Sequence, residues 1–178
     1  MRRISLFVIA FALVALPLSA SAGRMFTVAI EGTKQGKLKG ECGDKDKKDL
    51  LCGIDFSAES VAPIDPATGQ ASGKRQHKPL TFTKEVGTAS PQLFQALVTH
   101  ETLKSVLISF YGTSAEGEEE VVYTIKLVNA VVVNIRTYFD ASVDGKAPRL
   151  VETVTLTFQR IELESKTGHT AAADDWTK

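Results

Sequence analysis

The chain has 178 residues, and its 21 Lys and Arg balance 21 Asp and Glu to a formal net charge of zero. A composition of 43% hydrophobic and 24% charged residues is that of a globular protein, and six Pro with 13 Gly are too few for a collagen-like or low-complexity chain. The balanced charge excludes a dedicated nucleic-acid binder, which needs a basic excess to neutralise phosphates.

Met1, Arg2 and Arg3 make a short basic start. Residues 4–16 are apolar except for Ser5, and Pro17 ends the run. Ala20 and Ala22 then put small residues where a signal peptidase reads. This layout predicts a signal peptide over 1–22, cleaved between Ala22 and Gly23. The 13-residue run falls short of the ~20 residues that span a bilayer as a helix, which disfavours an uncleaved anchor. The mature part, 23–178, keeps 156 residues as one domain, with 19 basic and 21 acidic side chains. Its expected location is the periplasm or the medium, with no membrane association after cleavage.

Cys42 and Cys52 flank nine residues, GDKDKKDLL. In an oxidising compartment the expectation is a disulfide, contributing about 3 kcal/mol in the loop-entropy account. Two free thiols are the alternative. Two cysteines so spaced, with His77, His100 and His169 scattered, do not match a zinc-ligand pattern, so neither a metal nor another cofactor is expected.

The mature chain reads mostly as strands. Phe26, Val28 and Ile30 alternate with Thr27 and Ala29, and the strand ends at Gly32. Residues 32–49 are rich in Gly and Lys and read as a loop. Ile54 and Phe56 mark a second strand. Residues 62–78 carry Pro, Gly and Ser and read as a long exposed loop, of a length that is usually functional. Leu80 and Phe82 mark a third strand closed by Gly87. A helix is predicted over 91–99, with Ser90 as its cap, Pro91 at its first position, and Leu93, Phe94, Leu97 and Val98 on one apolar face. Val106, Ile108 and Phe110 follow in alternation, then a turn over 112–119. Residues 121–139 are long for one strand, and Asn129-Ala130 predicts a bend or bulge. A turn with Asp144-Gly145 at its tight point leads to the alternating Val154, Leu156 and Phe158. The apolar phase switches after Arg160, which predicts a second bulge. Residues 164–178 are polar and read as loose. Six or seven strands and one helix without βαβ alternation predict a mainly β fold, an antiparallel two-sheet barrel or sandwich with one α-helix.

Catalytic signatures are missing from the sequence: it has no G-x-S-x-G, P-loop, G-x-G-x-x-G or H-E-x-x-H pattern. The expectation is a protein that is not an enzyme. Lys74, Arg75, His77 and Lys78 form a basic run in the long loop, and Glu116, Glu118, Glu119 and Glu120 form an acidic run in a turn. Each fits a solvated loop. Opposite-sign patches on one subunit also fit head-to-tail contact between copies, which generates rings or filaments.

Several segments together resemble the haemolysin-coregulated protein (Hcp) family: EGTKQGKLKGEC (31–42), TGQASGKRQHKPLTFTKE (68–85), SPQLFQAL (90–97), LKSV (103–106), EEEVVYTIKLVNA (118–130), VTLTFQRIELE (154–164) and TAAADDW (170–176). They fall in family order across nearly all of the mature chain. The resemblance implies two β-sheets with one helix, the architecture of phage tail tubes. It also implies a homohexameric ring that stacks into the tube of the type VI secretion machine, with a spike protein and effector cargo as further partners. Within this reading Gly73, Lys74, Arg75, His77 and Lys78 are the expected subunit or ring-stacking contact. Two features depart from the family pattern: the N-terminal signal segment and the Cys42/Cys52 pair. They leave a second reading, an exported Hcp-like ring that binds or scaffolds outside the type VI tube.

Overall fold

The computed structural model describes residues 26–43, 47–141 and 148–177. The signal segment, its cleavage point at Ala22 and Gly23, and the turn at Asp144-Gly145 lie outside the described residues. The elements in chain order are β1 (Phe26–Gly32), β2 (Gly36–Lys37), β3 (Leu51–Ser57), β4 (Ser60–Val61), β5 (Gln76–His77), β6 (Leu80–Glu85), α1 (Ser90–Val98), β7 (Thr102–Thr113), β8 (Glu119–Asp140), β9 (Arg149–Ser165) and β10 (Thr170–Asp175).

The main sheet closes on itself. β9, β6, β3, β1, β7 and β8 follow one another, and β8 pairs back onto β9, all antiparallel. Period-two alternation then has a fixed consequence: every second side chain points into the barrel. Phe26, Val28 and Ile30 of β1, Leu80 and Phe82 of β6, Val106 and Ile108 of β7, Leu127 of β8, and Val154 and Leu156 of β9 fill the interior, all buried. Phe26, Phe56 and Phe110 meet at one mouth with ring centroids 5.2 to 5.8 Å apart. Gly53 lets β3 approach that cluster, because a Cβ there would stand 1.9 Å from the Phe26 ring.

β8 and β9 are longer than the barrel. The β7 pairing of β8 ends at Val131, while its β9 pairing runs on to Asp140. Asn129 adopts φ +50°, so the bend expected there is present. At this point the buried set of β8 changes phase, from Ile125 and Leu127 to Ala130 and Val132. The partner residues of β9 change phase with it, from Ile161 to Leu156 and Val154. The bulge expected after Arg160 is not a slip of register: β8 and β9 stay in step through Arg160, and the slip lies between Val132 and Asn134.

Three other expectations change. The exposed loop expected over 62–78 is held as a hairpin arm, with β4 on β5 at its base and a bridge between Ile64 and Ala71. Residues 164–178 are not loose, because β10 pairs with β9 from Thr170 to Asp175. The helix buries Leu93 and Ala96 rather than the whole predicted stripe, and Phe94 and Val98 face solvent. Its cap position is Ala89, because the Ser90 hydroxyl is engaged elsewhere.

That engagement is a buried ionic cluster. Lys84, fully buried, places Nζ 2.7 Å from Glu41 Oε1 and 3.3 Å from Glu152 Oε1. It donates to the Glu85 carbonyl and to Ser90 Oγ. Ser90 donates in turn to Glu152, at 2.8 Å, and accepts from the Gly87 amide. Glu41 accepts the Ala89 amide at the helix start, where a carboxylate also suits the helix dipole. One ammonium thus joins β6, β9, the helix start and the segment before Cys42. Removing one partner from a buried ion pair typically costs about 3–5 kcal/mol, since the other charge stays buried. Lys84→Met should therefore lower the unfolding free energy by about 3–5 kcal/mol at neutral pH in urea titrations; a loss under about 1 kcal/mol would contradict the role assigned to Lys84.

Candidate functional site

The predicted contact residues sit on the arm. Gly73 has φ +82°, a left-handed conformation that glycine adopts without a Cβ penalty, and it turns the returning limb of the hairpin. Lys74 and Lys78 are exposed, and the Lys78 amide donates to the Glu59 carbonyl. The arm's two limbs are tied at the tip by the Asp65 amide on Gln70 O and by Ser72 N on Pro63 O.

Arg75 and His77 turn back onto their own chain. Arg75 Nε donates to Asp174 Oδ2 at 2.6 Å and Nη2 to Oδ1 at 2.5 Å, a two-pronged contact, and Nη2 also reaches the Asp175 carbonyl. His77 Nε2 lies 2.6 Å from Asp174 Oδ2 and Nδ1 lies 2.8 Å from Ser60 Oγ. The imidazole packs against Trp176 and Phe158, at 5.4 and 5.7 Å between centroids. The arm base is therefore clasped to the C-terminal strand. Hydrogen bonds from Arg75 and His77 hold the Asp174 carboxyl well below the usual carboxylate range, and the same contact holds the Arg75 guanidinium more firmly protonated.

The sequence reading missed Asp174, Ser60, Phe158 and Trp176. Asp174 lies in the quoted segment TAAADDW, but three alanines in a row give no strand alternation to read. A second carboxylate was equally hidden. Glu101 is buried and accepts the Lys34 and Gln35 amides at 2.6 and 2.9 Å, which closes the β1–β2 turn. Burial pushes its carboxyl up, and the donors from Gln35 and Lys34 outweigh that and leave it lowered.

Cys42 and Cys52 are joined in a disulfide, with Cα atoms 5.3 Å apart. Cys52 lies opposite Thr27 of β1, so the bridge ties the segment before it to the outer wall of the barrel. Close by, the Lys47 ammonium pairs with Glu119 of the acidic run and lies over the Tyr111 ring. Tyr111 OH is 3.0 Å from Thr27 Oγ1. The acidic run itself forms a turn around Ser114, whose Oγ accepts the Glu116 and Glu118 amides.

Two strand edges and one face remain open. Past Val131, β8 has a strand partner on one side only among the described residues, and so does β10 over residues 170–173. They lie on opposite sides of β9. Phe139, Leu150 and Val86 form an exposed apolar row at the end of this sheet, with Phe139 opposite Leu150 and the Val86 amide on Leu150 O. The outer face of β1, β7, β8, β9 and β10 carries cross-strand rows of mostly small, polar or charged residues, with Leu107 as an exposed apolar member. One row is Ala29, Leu107, Lys126, Glu162 and Ala173; another ends in Ser109, Thr124, Glu164 and Ala171. No cluster of His, Cys, Asp or Glu among the described residues is arranged to hold a metal.

A closed antiparallel barrel with one helix and a hairpin arm is a fold shared with solved Hcp proteins. The chain belongs to the Hcp family: the family described as type VI secretion system effector, Hcp, matches residues 28–164. The "Major exported protein" of Pseudomonas aeruginosa is 35% identical over 160 residues, covering 84% of this chain and 93% of that protein. The crystal structure of an Hcp protein superposes with a TM-score of 0.79 at 26% identity, over 86% of this chain and all of the other. The secreted protein Hcp3 of P. aeruginosa gives 0.69 at 29% identity, over 85% and 97%.

A carboxyl made more acidic by folding stabilises the fold above its unfolded range, and that contribution is lost as the pH falls through the folded value. The wild type should lose stability between about pH 4 and lower values partly through Asp174. In urea titrations across that range the Asp174→Asn variant should show a shallower decline. Parallel declines would contradict the clasp.

Proposed function

We propose that the mature chain is a ring-forming subunit of the type VI secretion tube, able to carry cargo in the ring's lumen, and that it is not a catalyst. The observation that carries this reading is the pair of open edges, β8 past Val131 and β10, on opposite sides of β9. Unpaired edges on a soluble barrel invite pairing with another chain. Edges on opposite sides favour a head-to-tail contact, which closes into a ring when the rotation fits. The apolar row of Phe139, Leu150 and Val86 gives that contact something to bury. The face built from Ala29, Leu107, Ser109, Thr124, Lys126, Glu162, Glu164, Ala171 and Ala173 has Leu107 as the large apolar side chain of these rows and is otherwise small, polar or charged, which suits a wall that a passenger must slide along.

The arm is the proposed contact between stacked rings, with Gly73, Lys74 and Lys78 at the surface and Arg75 and His77 fixing its base. The spike protein and effectors are the partners of the assembled tube. Export to the periplasm or medium, after cleavage between Ala22 and Gly23, accords with a relative named a major exported protein. The disulfide favours a second reading, a ring that works outside the tube as a periplasmic or secreted scaffold.

Light scattering of residues 23–178 should give the mass of about six copies. A monomer at high micromolar concentration would overturn the ring. Phe139→Lys should shift the mass towards the monomer while leaving the far-ultraviolet circular dichroism of the folded chain unchanged. Arg75→Glu with Lys78→Glu should weaken ring stacking and leave single rings intact.

A further inference from the structure

The segment before the disulfide, residues 38–43, is the outer cover of the Lys84 cluster. Leu38 is buried, and its amide donates to Ile30 O. Gly40 passes so close to Leu50 that a Cβ would stand 2.0 Å from the Leu50 carbonyl oxygen. Glu41 meets Lys84 and the Ala89 amide, and next to it Cys42 donates its amide to Leu50 O. Cys42 is buried, whereas Cys52 lines a solvent-open cavity of about 290 Å3 together with Glu41, Gly43, Gly53, Ile54 and Glu85. The bridge is thus adjacent in sequence to the carboxylate that covers a buried ammonium, and among the described residues its Cys52 end lines the open cavity while Cys42 is buried.

We propose that the Cys42–Cys52 disulfide is a redox latch, which keeps Glu41 seated on Lys84 while oxidised and unseats residues 38–43, with the barrel still folded, when a dithiol reduces it. This goes beyond ring formation and does not depend on it. The chemistry is thiol–disulfide exchange. A thiolate of the dithiol attacks Cys52 Sγ, forms a mixed disulfide and expels Cys42 as a thiolate. The second thiol of the reagent then closes its own disulfide and releases Cys52. Both cysteines take up protons from water, and the two electrons come from the dithiol. Glu41 and Glu85 at the cavity rim favour a neutral reductant over an anionic one.

Once freed, the segment is held by single polar contacts, the Leu38 amide on Ile30 O, the Lys39 amide on Gln92 Oε1, the Cys42 amide on Leu50 O and Glu41 on Lys84 and the Ala89 amide, and no longer by a covalent tie. Leu38 is its one large apolar side chain, and Glu41, already partly exposed at the cavity, can move fully into water. Lys84 keeps Glu152, Ser90 and the Glu85 carbonyl, which lie on β9, α1 and β6 and do not depend on the bridge. This division is why the opening stays local.

The test is amide hydrogen exchange, followed residue by residue by NMR, on the mature oxidised protein and on the same protein in dithiothreitol. Reduction should speed exchange at Leu38, Cys42 and Ala89 by about tenfold or more and leave Leu127 and Val154 within about twofold. In the oxidised protein, Glu41→Ala should speed Ala89 and spare Cys42. Unchanged protection at Ala89 on reduction would overturn the latch. So would uniform acceleration at Leu127 and Val154, or complete unfolding, since either makes the bridge a general cross-link.

Discussion

One buried ammonium organises this subunit. Lys84 comes from near the end of β6 in the barrel wall and is fully buried, where a charge is tolerated only if its partners are supplied on the spot. Glu152 arrives from the neighbouring strand, Ser90 from the helix start and Glu41 from the segment before the disulfide. Because each partner lies on a different element, satisfying Lys84 fixes where the helix begins and where the outer segment lies. The short helix, with an alanine at its cap position, gets its first free amide satisfied by the same Glu41.

The cluster also marks where the covered part of the sheet stops. Thr137, Glu152 and Lys84 form one cross-strand row, under the helix start and Glu41. The next row outward is Phe139, Leu150 and Val86, which nothing among the described residues covers. The long β8–β9 hairpin therefore carries apolar side chains past the end of the barrel that built it. A monomer gains little from that, while an assembly gains a contact surface. The clasp at Arg75, His77 and Asp174 does a related job at the arm, since it orders a polar hairpin that buries almost nothing of its own.

Much of the fold was legible in the residues. Alternation at Phe26, Val28 and Ile30, and at Val154, Leu156 and Phe158, reports strands that bury one face. Pro91 with the spacing of Leu93, Phe94, Leu97 and Val98 reports the helix, although Leu93 and Ala96 are the residues it buries. Asn129 was readable as a bend because asparagine tolerates the left-handed conformation that it adopts. Alternation reports burial and is blind to pairing, so β10, made of one threonine, three alanines and two aspartates, read as loose chain. The arm read as a loop for the same reason, since its order comes from Asp174, about a hundred residues away. Charge hid the rest of the site. Lys84, Glu152 and Glu101 look like surface residues in a sequence, and only their partners in space, the half-buried Glu41 among them, show them to be interior.

The resemblance to Hcp proteins and the reading of single residues support different parts of the account. The family likeness extends over residues 28–164 and carries the barrel and the link to type VI secretion. The disulfide and the Lys84 cluster come from this chain's own geometry. The most direct measurement of the central claim is an electron cryomicroscopy reconstruction of the assembled, oxidised mature protein. The account predicts a sixfold ring in which the β8 edge beyond Val131 lies against β10 of the next copy, with Phe139 buried. Rings that leave that edge and Phe139 in solvent, or particles with no ring at all, would contradict it.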